Sequence, residues 1–422
     1  MNTCRINFAK KAVIARSWIS TSLWVMIFLF VSLMSSCEIT PEPGKKPTLR
    51  NLSPQEAGLV QATNQVALNI LKSLQQEQPE ENIFLSPFSV SMALGTLQNG
   101  TSGNAHMEIA DMLNTQHLSN VELNKIVSNL LNMYKIADRE LDFSLASSIW
   151  HSDKLKLEAA YENIVMAYYD TEIRPSNFSK NNAHDLINRW SELRTRGKSG
   201  GIIREIPSDF KYMMVSTAHF SAGDHLNFNE FDLTPAPFYT NANRTVESTF
   251  MNARKTEFKY FRDNNISYFE LPLGKGLMNL CLLVPDKNYG IADMLANLET
   301  RDLDLYEEMA LNTLGNISLP IFTTEYSTRL NHTLSNMGIR EVFEGNPDFS
   351  IISKEEIKLD ELRHKAMFNF ASFQPSSKTS DVLEEKSSLL SYSIDRPFVY
   401  FIRDKHTTSL IMEGIFTNPT NN

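Results

Sequence analysis

The residue types that perform nucleophilic, acid–base and metal chemistry are spread thinly along this chain of 422 residues. Its nine histidines, among them His106, His184, His219 and His332, do not have the spacing of metal ligands. The sequence has no His-Glu-x-x-His motif, no phosphate-binding glycine loop and no Cys-x-x-Cys pair. We therefore expect a protein that is not an enzyme and that holds neither a metal nor a cofactor.

The first 36 residues have the layout of an export signal. A basic stretch that ends at Arg16 precedes Trp18–Met34, which is uncharged and mostly apolar, and Ser35 and Ser36 follow. A positive flank, an apolar segment and small residues before a cut are typical of exported chains. The sequence therefore predicts a signal peptide over residues 1–36. The alternative is a signal anchor, because the apolar run is just long enough to span a bilayer.

Cys37 directly follows this leader and resembles the cysteine that is acylated in bacterial lipoproteins. The resemblance is partial, because Ser36 stands where those proteins usually have Gly or Ala. A polar segment that contains several prolines comes next, which favours a tether over residues 37–50. We expect a lipid on Cys37 that anchors the exported protein to a membrane, in the cell envelope or on the cell surface.

Cys281 is the cysteine that remains once Cys4, in the leader, and Cys37 are set aside. With one cysteine in the remainder of the chain, no internal disulfide can form there. Cys281 lies in the apolar run Leu280–Val284. We therefore expect a small buried hydrophobic residue and not a nucleophile.

The charge balance argues against nucleic acid as a partner. The leader carries four of the 40 basic residues and no acidic one, which leaves 36 basic against 49 acidic residues and a net charge of −13. Contacts with phosphates need clustered Lys and Arg. Apolar residues make up 42% and charged residues 21% of the chain, which is usual for a globular protein with a sizeable core.

Helices are predicted first, and strands gather toward the end. Ser53-Pro54-Gln55-Glu56 is a capping box with proline at the first helical position, so we expect the main domain, residues 51–422, to begin its fold there. A second helix should follow Ser86-Pro87 and end at Asn99-Gly100, and a third should contain Ile109. Strand-like runs are Phe143–Trp150, Met214–Phe220, Ile266–Leu271, Leu277–Val284, Ile317–Phe322, Phe398–Arg403 and Leu410–Phe416. The last two should form a hairpin, and the pattern predicts an α+β fold.

Six groups of residues between positions 55 and 420 resemble motifs of the serpin family and occur in the order of that family. They are Asn82–Val90 with Glu108-Ile109, Ile187–Trp190 with Thr195–Lys198, Glu270-Leu271-Pro272 with Leu282–Asp286, Leu319–Phe322 through Asp348–Ser350, His364-Lys365-Ala366, and Arg396–Asp404 through Asn418-Pro419. The resemblance implies about eight to nine helices on three mainly antiparallel sheets, an exposed reactive-centre loop and a monomer.

In serpins, a protease cleaves the exposed loop, forms an acyl-enzyme and is trapped when the loop inserts into the main sheet. The resemblance therefore implies a suicide inhibitor of serine endopeptidases, with cysteine endopeptidases as a further target class. The alternative is a serpin-fold binding or scaffold protein that is cut at the loop as a substrate without trapping.

Four residues correspond to the polar cluster that gates the main sheet of serpins. Ser86, Ser89 and His364 match that cluster, whereas Ser216 stands where the family has asparagine. Asp224 is another departure, because the family has tryptophan there. We favour the gate. The alternative is that the three matching residues are a helix cap, a turn hydroxyl and a surface histidine.

The reactive loop should lie between Ala366 and Pro397. A strand that inserts into a sheet turns alternate residues toward the core, so one set should be small. The expected hinge consists of Gln374, Pro375, Ser376, Ser377, Lys378, Thr379, Ser380 and Asp381. The odd positions should face inward, because Lys378 must stay in water. Pro375 and Asp381 handicap insertion, and the family's alanine-rich hinge pattern is missing.

Lys386-Ser387 is the expected scissile bond. Family spacing counted backward from Pro397 gives this bond, whereas counting forward from His364 reaches Ser388, because the loop is shorter than usual. A Lys386 bait implies a trypsin-like target, whose pocket carries an acid. The alternative is that Lys386 is only a solvated charge, since surface loops are commonly charged.

Overall fold

A computed structural model describes residues 50–137, 141–180, 182–195, 201–221, 231–240, 244–370 and 389–421. The helices in these ranges are α1 (Pro54–Glu77), α2 (Pro87–Gln98), α3 (Gly103–Met112), α4 (Asn120–Ala137), α5 (Ala159–Tyr169), α6 (Ala183–Arg194), α7 (Ile291–Asn297), α8 (Thr300–Met309), α9 (Asn331–Asn336) and α10 (Glu341–Glu344). The strands are β1 (Ile83–Leu85), β2 (Asp142–Ser152), β3 (Thr171–Ser176), β4 (Tyr212–Ser221), β5 (Phe231–Tyr239), β6 (Thr245–Arg262), β7 (Ile266–Leu273), β8 (Met278–Pro285), β9 (Leu311–Pro320), β10 (Thr323–Arg329), β11 (Glu361–Asn369), β12 (Leu390–Ser393), β13 (Phe398–Asp404) and β14 (Leu410–Phe416).

The strands form two sheets. One has five strands in the order β10-β11-β4-β2-β3, and the other has nine in the order β1-β14-β13-β8-β7-β6-β9-β12, with β5 paired to β6. Most neighbours are antiparallel, whereas β11–β4, β2–β3 and β12–β9 are parallel. The expected α+β class is confirmed, although the described residues form ten helices instead of eight to nine and two hydrogen-bonded sheets instead of three.

The long strand β6 explains why two sheets stand where three were expected. Its 18 residues pair with β5 along the first part and with β7 at the end, and β9 follows it on the other side. The pairing with β9 shifts register between Ala253 and Thr256, where Lys255 has φ +45°. A bulge of this kind bends a strand without ending it. One bent strand therefore joins two groups of strands into a single sheet.

Local sequence fixes the starts of the first two helices. At α1, the Ser53 side chain accepts a hydrogen bond from the Glu56 amide at 3.2 Å, and the Glu56 carboxylate accepts one from the Ser53 amide at 2.8 Å. Pro54 occupies the first helical position, where no amide hydrogen is needed. At α2, Ser86 is the N-cap and accepts from the Ser89 amide. Both predicted helix starts are confirmed.

Aromatic side chains fill the space between the two sheets. Phe368 of β11 lies 5.2 Å from Tyr400 of β13 and 5.3 Å from Phe84 of β1, measured between ring centroids. Phe322, just before β10, lies 4.3 Å from Phe416 of β14. Aromatic pairs at these separations add to the free energy of burial. This core holds β11 against the nine-stranded sheet and so positions the site described next.

Candidate functional site

The pairing of β4 with β11 in the five-stranded sheet is parallel. The two strands are aligned from Met213 opposite Glu361 to Ser221 opposite Asn369. On their outer sides, β4 is antiparallel to β2 and β11 is antiparallel to β10. Parallel pairing is slightly less stable per residue than antiparallel pairing. This β4–β11 pairing, called the seam below, is therefore weaker than the pairings that flank it.

His364 of β11 forms a hydrogen bond across the seam. Its Nε2 accepts from the Ser86 backbone N–H at 3.0 Å, so in the neutral ring the proton lies on Nδ1. Nδ1 lies 2.7 Å from Ser216 Oγ on β4 and donates to it. The ring is fully buried, and burial lowers the pKa of His364 from 6.5 to about 3. The ring is therefore neutral at physiological pH, with both nitrogens satisfied.

Ser86 connects this pair to the rest of the core. Its hydroxyl accepts from the Ser89 amide at 3.2 Å and donates to the Ile411 carbonyl of β14 at 2.8 Å. Its backbone N–H is the donor to His364. The N-terminus of α2 thus contacts β11 on one side and the nine-stranded sheet on the other. Sequence reasoning missed Ile411, because a backbone carbonyl leaves no signal in the residue types.

The four sequence-predicted gate residues, Ser86, Ser89, Ser216 and His364, come together around the start of α2, and they are called the gate cluster below. Ser89 takes part through its backbone, and its hydroxyl has no hydrogen-bond partner among the described residues. His364 is fully buried, so it is not the surface histidine of the alternative interpretation. The arrangement can hold the seam closed by hydrogen bonds that need no change of protonation to break.

Two side-chain pairs lie on the opposite face of the sheet, one on each side of the seam. The ammonium of Lys365, which is 1% exposed, lies 2.6 Å from the Glu325 carboxylate of β10. His219 Nε2 of β4 lies 3.4 Å from Asp142 Oδ2 of β2. Neither pair spans the seam, so opening it leaves both intact. Sequence reasoning treated His219 as surface or core filler and missed its pair with Asp142, because the two residues are 77 positions apart.

Cys281 of β8 is confirmed as a buried core residue. Its side chain is 3% exposed, and burial raises the pKa of the thiol to about 12. The thiol accepts a hydrogen bond from the Tyr268 hydroxyl at 3.4 Å. A thiol that stays protonated in this way is a poor nucleophile.

Several sequence predictions fall outside the described residues. They concern the leader 1–36, the tether up to residue 49, the lipid on Cys37, Asp224, the hinge from Gln374 to Asp381 and the bonds at Lys386-Ser387 and Ser388. The described chain reaches Phe370, whose amide donates to the Phe322 carbonyl at 2.9 Å, and resumes ahead of β12. These assignments remain predictions.

The described part of the chain shows neither a metal-binding cluster nor a membrane-spanning helix. No group of three or more His, Cys, Asp or Glu side chains there has a geometry that could hold a metal ion. Among the helices described, none combines the length and the hydropathy needed to cross a bilayer. The seam and the gate cluster are therefore the candidate functional site.

Known proteins resemble this chain along most of its length. Iripin-1 of Ixodes ricinus is 24% identical over 379 residues, which cover 84% of this chain and 93% of the relative. Serpin A3-8 of Bos taurus is 26% identical over 90% of this chain and 93% of its own length. Thyroxine-binding globulin of Homo sapiens is 26% identical over 84% of this chain and 88% of its own length. These relatives come from a tick, cattle and humans, and they lend no support to a bacterial source.

Solved structures show the same architecture. Mouse protein-Z dependent protease inhibitor superimposes with a TM-score of 0.78 at 21% identity, over 87% of this chain and 98% of its own. The complex of thyroxine-binding globulin with thyroxine gives a TM-score of 0.77 at 24% identity, over 86% of this chain and 99% of its own. At these identities the likeness concerns the fold. The family model described as "Serpin (serine protease inhibitor)" matches residues 61–419. The chain therefore belongs to the serpin family.

Proposed function

We propose that this serpin is a suicide inhibitor of serine endopeptidases, with cysteine endopeptidases as a further class. The observation that carries the proposal is the seam, because the expected reactive loop leaves from the end of β11, which is itself one strand of the seam. The inhibitor would present the loop, be cut at Lys386-Ser387 and insert the loop between β4 and β11.

Strand direction supports insertion at this place. A chain that doubles back after β11 runs antiparallel to β11, and it also runs antiparallel to β4 because β4 and β11 are parallel. Insertion thus replaces one parallel pairing by two antiparallel pairings, which are the more stable kind. After a cut at Lys386-Ser387, the 16 residues 371–386 remain attached to β11, while the seam is nine residue pairs long. The loop is long enough for a turn and a full strand.

The gate cluster adds to the cost of opening the seam. An inserted strand must separate His364 from Ser216, since these residues lie on the two sides of the seam. Exchanging such a hydrogen bond costs about 1 kcal/mol. The Ser86 bond to His364 stays with β11, and the Lys365–Glu325 and His219–Asp142 pairs each stay within their own half of the sheet. The seam has further contacts at its other end, where the Asp360 carboxylate accepts hydrogen bonds from the Lys211 and Tyr212 amides at 2.7 and 3.0 Å.

The chemistry of trapping follows from the proposed bait. The protease serine attacks the carbonyl carbon of Lys386, and the amine of Ser387 leaves with a proton, so an ester joins the protease to the new C-terminus. Insertion then removes this ester from the geometry that hydrolysis needs. A Lys bait favours proteases with an acidic specificity pocket.

Incubation of the full chain with trypsin tests this proposal. We expect a covalent complex that survives boiling in detergent, together with a released fragment whose mass corresponds to residues 387–422. The matched control is Thr379→Arg, which places a charge at an inward hinge position and should turn the inhibitor into a substrate. A wild-type chain that is only nicked, with no complex for trypsin or other serine proteases, contradicts inhibition.

The second candidate function is that of a binding or scaffold protein that is cut without trapping. Pro375 and Asp381 favour it, because a proline cannot donate to the sheet ladder and a buried carboxylate needs a partner. A relative of similar length is named for binding thyroxine. Thermal unfolding before and after loop cleavage separates the two functions. A large rise of the midpoint after nicking is expected for an inserting loop, and an unchanged midpoint favours the binding protein.

Membrane attachment through Cys37 is part of the same proposal, on the pattern of a bacterial lipoprotein. The lipid would keep the inhibitor at the surface of the cell or within its envelope. We expect the wild-type chain in the membrane fraction and Cys37→Ser outside it, with mass spectrometry of the N-terminal peptide as the direct measurement. A Cys37 that carries no lipid contradicts this part of the proposal and leaves inhibition untouched.

A further inference from the structure

A small cavity lies beside the gate cluster. Its volume is about 10 Å3, which is close to the space that one water molecule requires. Its lining includes Ser89 of α2 and Ser147 of β2. The ion pair of Lys135 with Asp170, 2.5 Å between Nζ and Oδ2, belongs to the same lining and connects α4 to the end of α5. The cavity therefore lies where α2, α4, α5 and β2 meet.

Both serines bury a hydroxyl without a partner. Ser89 is 4% exposed and Ser147 is 6% exposed. Neither Oγ atom has a hydrogen-bond partner among the described residues. A buried hydroxyl that makes no hydrogen bond destabilises the fold. Cavities that stay empty are lined by apolar groups, whereas this one has two hydroxyls that need partners.

We propose that an ordered water molecule occupies this cavity and bridges Ser89 Oγ to Ser147 Oγ. One water satisfies both serines, because water and each hydroxyl can donate and accept. A bridging water of this kind is nearly as favourable in enthalpy as a direct hydrogen bond. The bridge ties the first turn of α2 to the middle of β2.

The position of Ser147 connects the proposed water to the opening of the seam. Ser147 lies directly opposite Ser216 in the pairing of β2 with β4. Since β2 and β4 are paired over ten residues, they move as one half of the sheet when the seam opens. His364 fastens the other half to α2 through Ser86. With the water in place, both halves are fastened to the same turn of α2. This role in opening rests on the proposed function, whereas the bridge itself does not.

A double-mutant cycle on the full chain tests the bridge. We expect Ser89→Ala and Ser147→Ala each to lower the midpoint of thermal unfolding. Each substitution removes one of the two hydroxyls, so the bridge that the water makes to the other hydroxyl is lost. The double variant should fall no further than the worse single variant. Ser191→Ala is the matched control, since Ser191 of α6 also buries an unpartnered hydroxyl but is not part of this cavity. Its effect should add to that of Ser89→Ala.

The proposal is overturned if the alanine substitutions do not lower the midpoint of thermal unfolding. If the two hydroxyls are truly unpartnered, each alanine removes a buried polar group, so the midpoint stays or rises and the effects add. A crystal structure that resolves ordered waters provides the direct measurement, and an empty cavity there also overturns the bridge. The rate of protease trapping is a separate readout. A chain that traps no protease removes the gating role but leaves the coupling between Ser89 and Ser147 as the test of the water.

Discussion

His364 and Glu413 are both fully buried, one in each sheet, and their surroundings differ sharply. His364, at the seam, uses both ring nitrogens in hydrogen bonds. Glu413, in β14, lies between Leu85 of β1 and Phe401 of β13, and neither of its carboxyl oxygens has a partner among the described residues. The ring nitrogens of His364 are both satisfied, whereas the nine-stranded sheet carries a buried carboxyl group without a partner among the described residues.

Burial shifts the two pKa values toward the neutral form of each side chain, with opposite consequences for stability. The pKa of His364 is lowered from 6.5 to about 3, so the unfolded chain binds a proton that the folded chain does not, and stability falls as pH drops from 6.5 toward 3. Burial raises the pKa of Glu413 well above 4.5. Its contribution to stability is complete below pH 4.5 and is lost as pH rises.

The comparison indicates which region is built to open. The hydrogen bonds at the seam join neutral groups. They can therefore break when the sheet opens and form again when it closes. Glu413 in the nine-stranded sheet makes no side-chain hydrogen bond among the described residues that could break and form again. We therefore expect changes at the seam to affect both stability and opening, and a change at Glu413 to affect stability alone.

His364→Ala should have the largest effect. It leaves the Ser86 N–H and the Ser216 hydroxyl without their partner and creates a cavity, so the free energy of unfolding should fall by about 3 kcal/mol. Denaturant unfolding at pH 7 measures the change. The control is His117→Ala, since His117 is exposed and should change stability by less than about 0.5 kcal/mol. Equal losses in the two variants contradict a special role of His364.

Glu413→Met should have the next largest effect, with the opposite sign. Replacing an unpartnered buried carboxyl by an apolar side chain should raise the free energy of unfolding by about 2 kcal/mol at pH 8. Glu413→Gln keeps the polarity but removes the titration. Melting curves at pH 5 and pH 8 should show that wild type loses stability at the higher pH and that both variants lose less. A wild-type profile that matches Glu413→Gln at both pH values argues against a raised pKa.

Ser216→Ala should have the smallest effect, about 1 kcal/mol, because it removes only the acceptor of the His364 Nδ1–H. In the His364→Ala background the same substitution should cost almost nothing, since the hydrogen bond is already absent. The double-mutant cycle, measured by denaturant unfolding, isolates the bond that crosses the seam. Additive effects of the two substitutions rule out a direct bond between these residues.

Local patterns in the sequence were sufficient for part of the fold. The starts of α1 and α2 were predicted because Ser53-Pro54 and Ser86-Pro87 cap a helix through atoms a few residues apart. Apolar runs predicted β7, β8, β13 and β14, since both faces of these strands are buried. The strands β6 and β10 were missed, because their residues are largely polar and partly exposed.

The sequence by itself determined the helix starts, the buried strands, the family and the residue types of the gate cluster. Only the tertiary structure decided that Ser86, Ser216 and His364 share one chain of hydrogen bonds, that Ser89 joins it through its backbone alone, and that β4 and β11 are parallel neighbours. These pairings join residues up to 278 positions apart. Such contacts depend on how the two sheets pack, and no local pattern of residues encodes them.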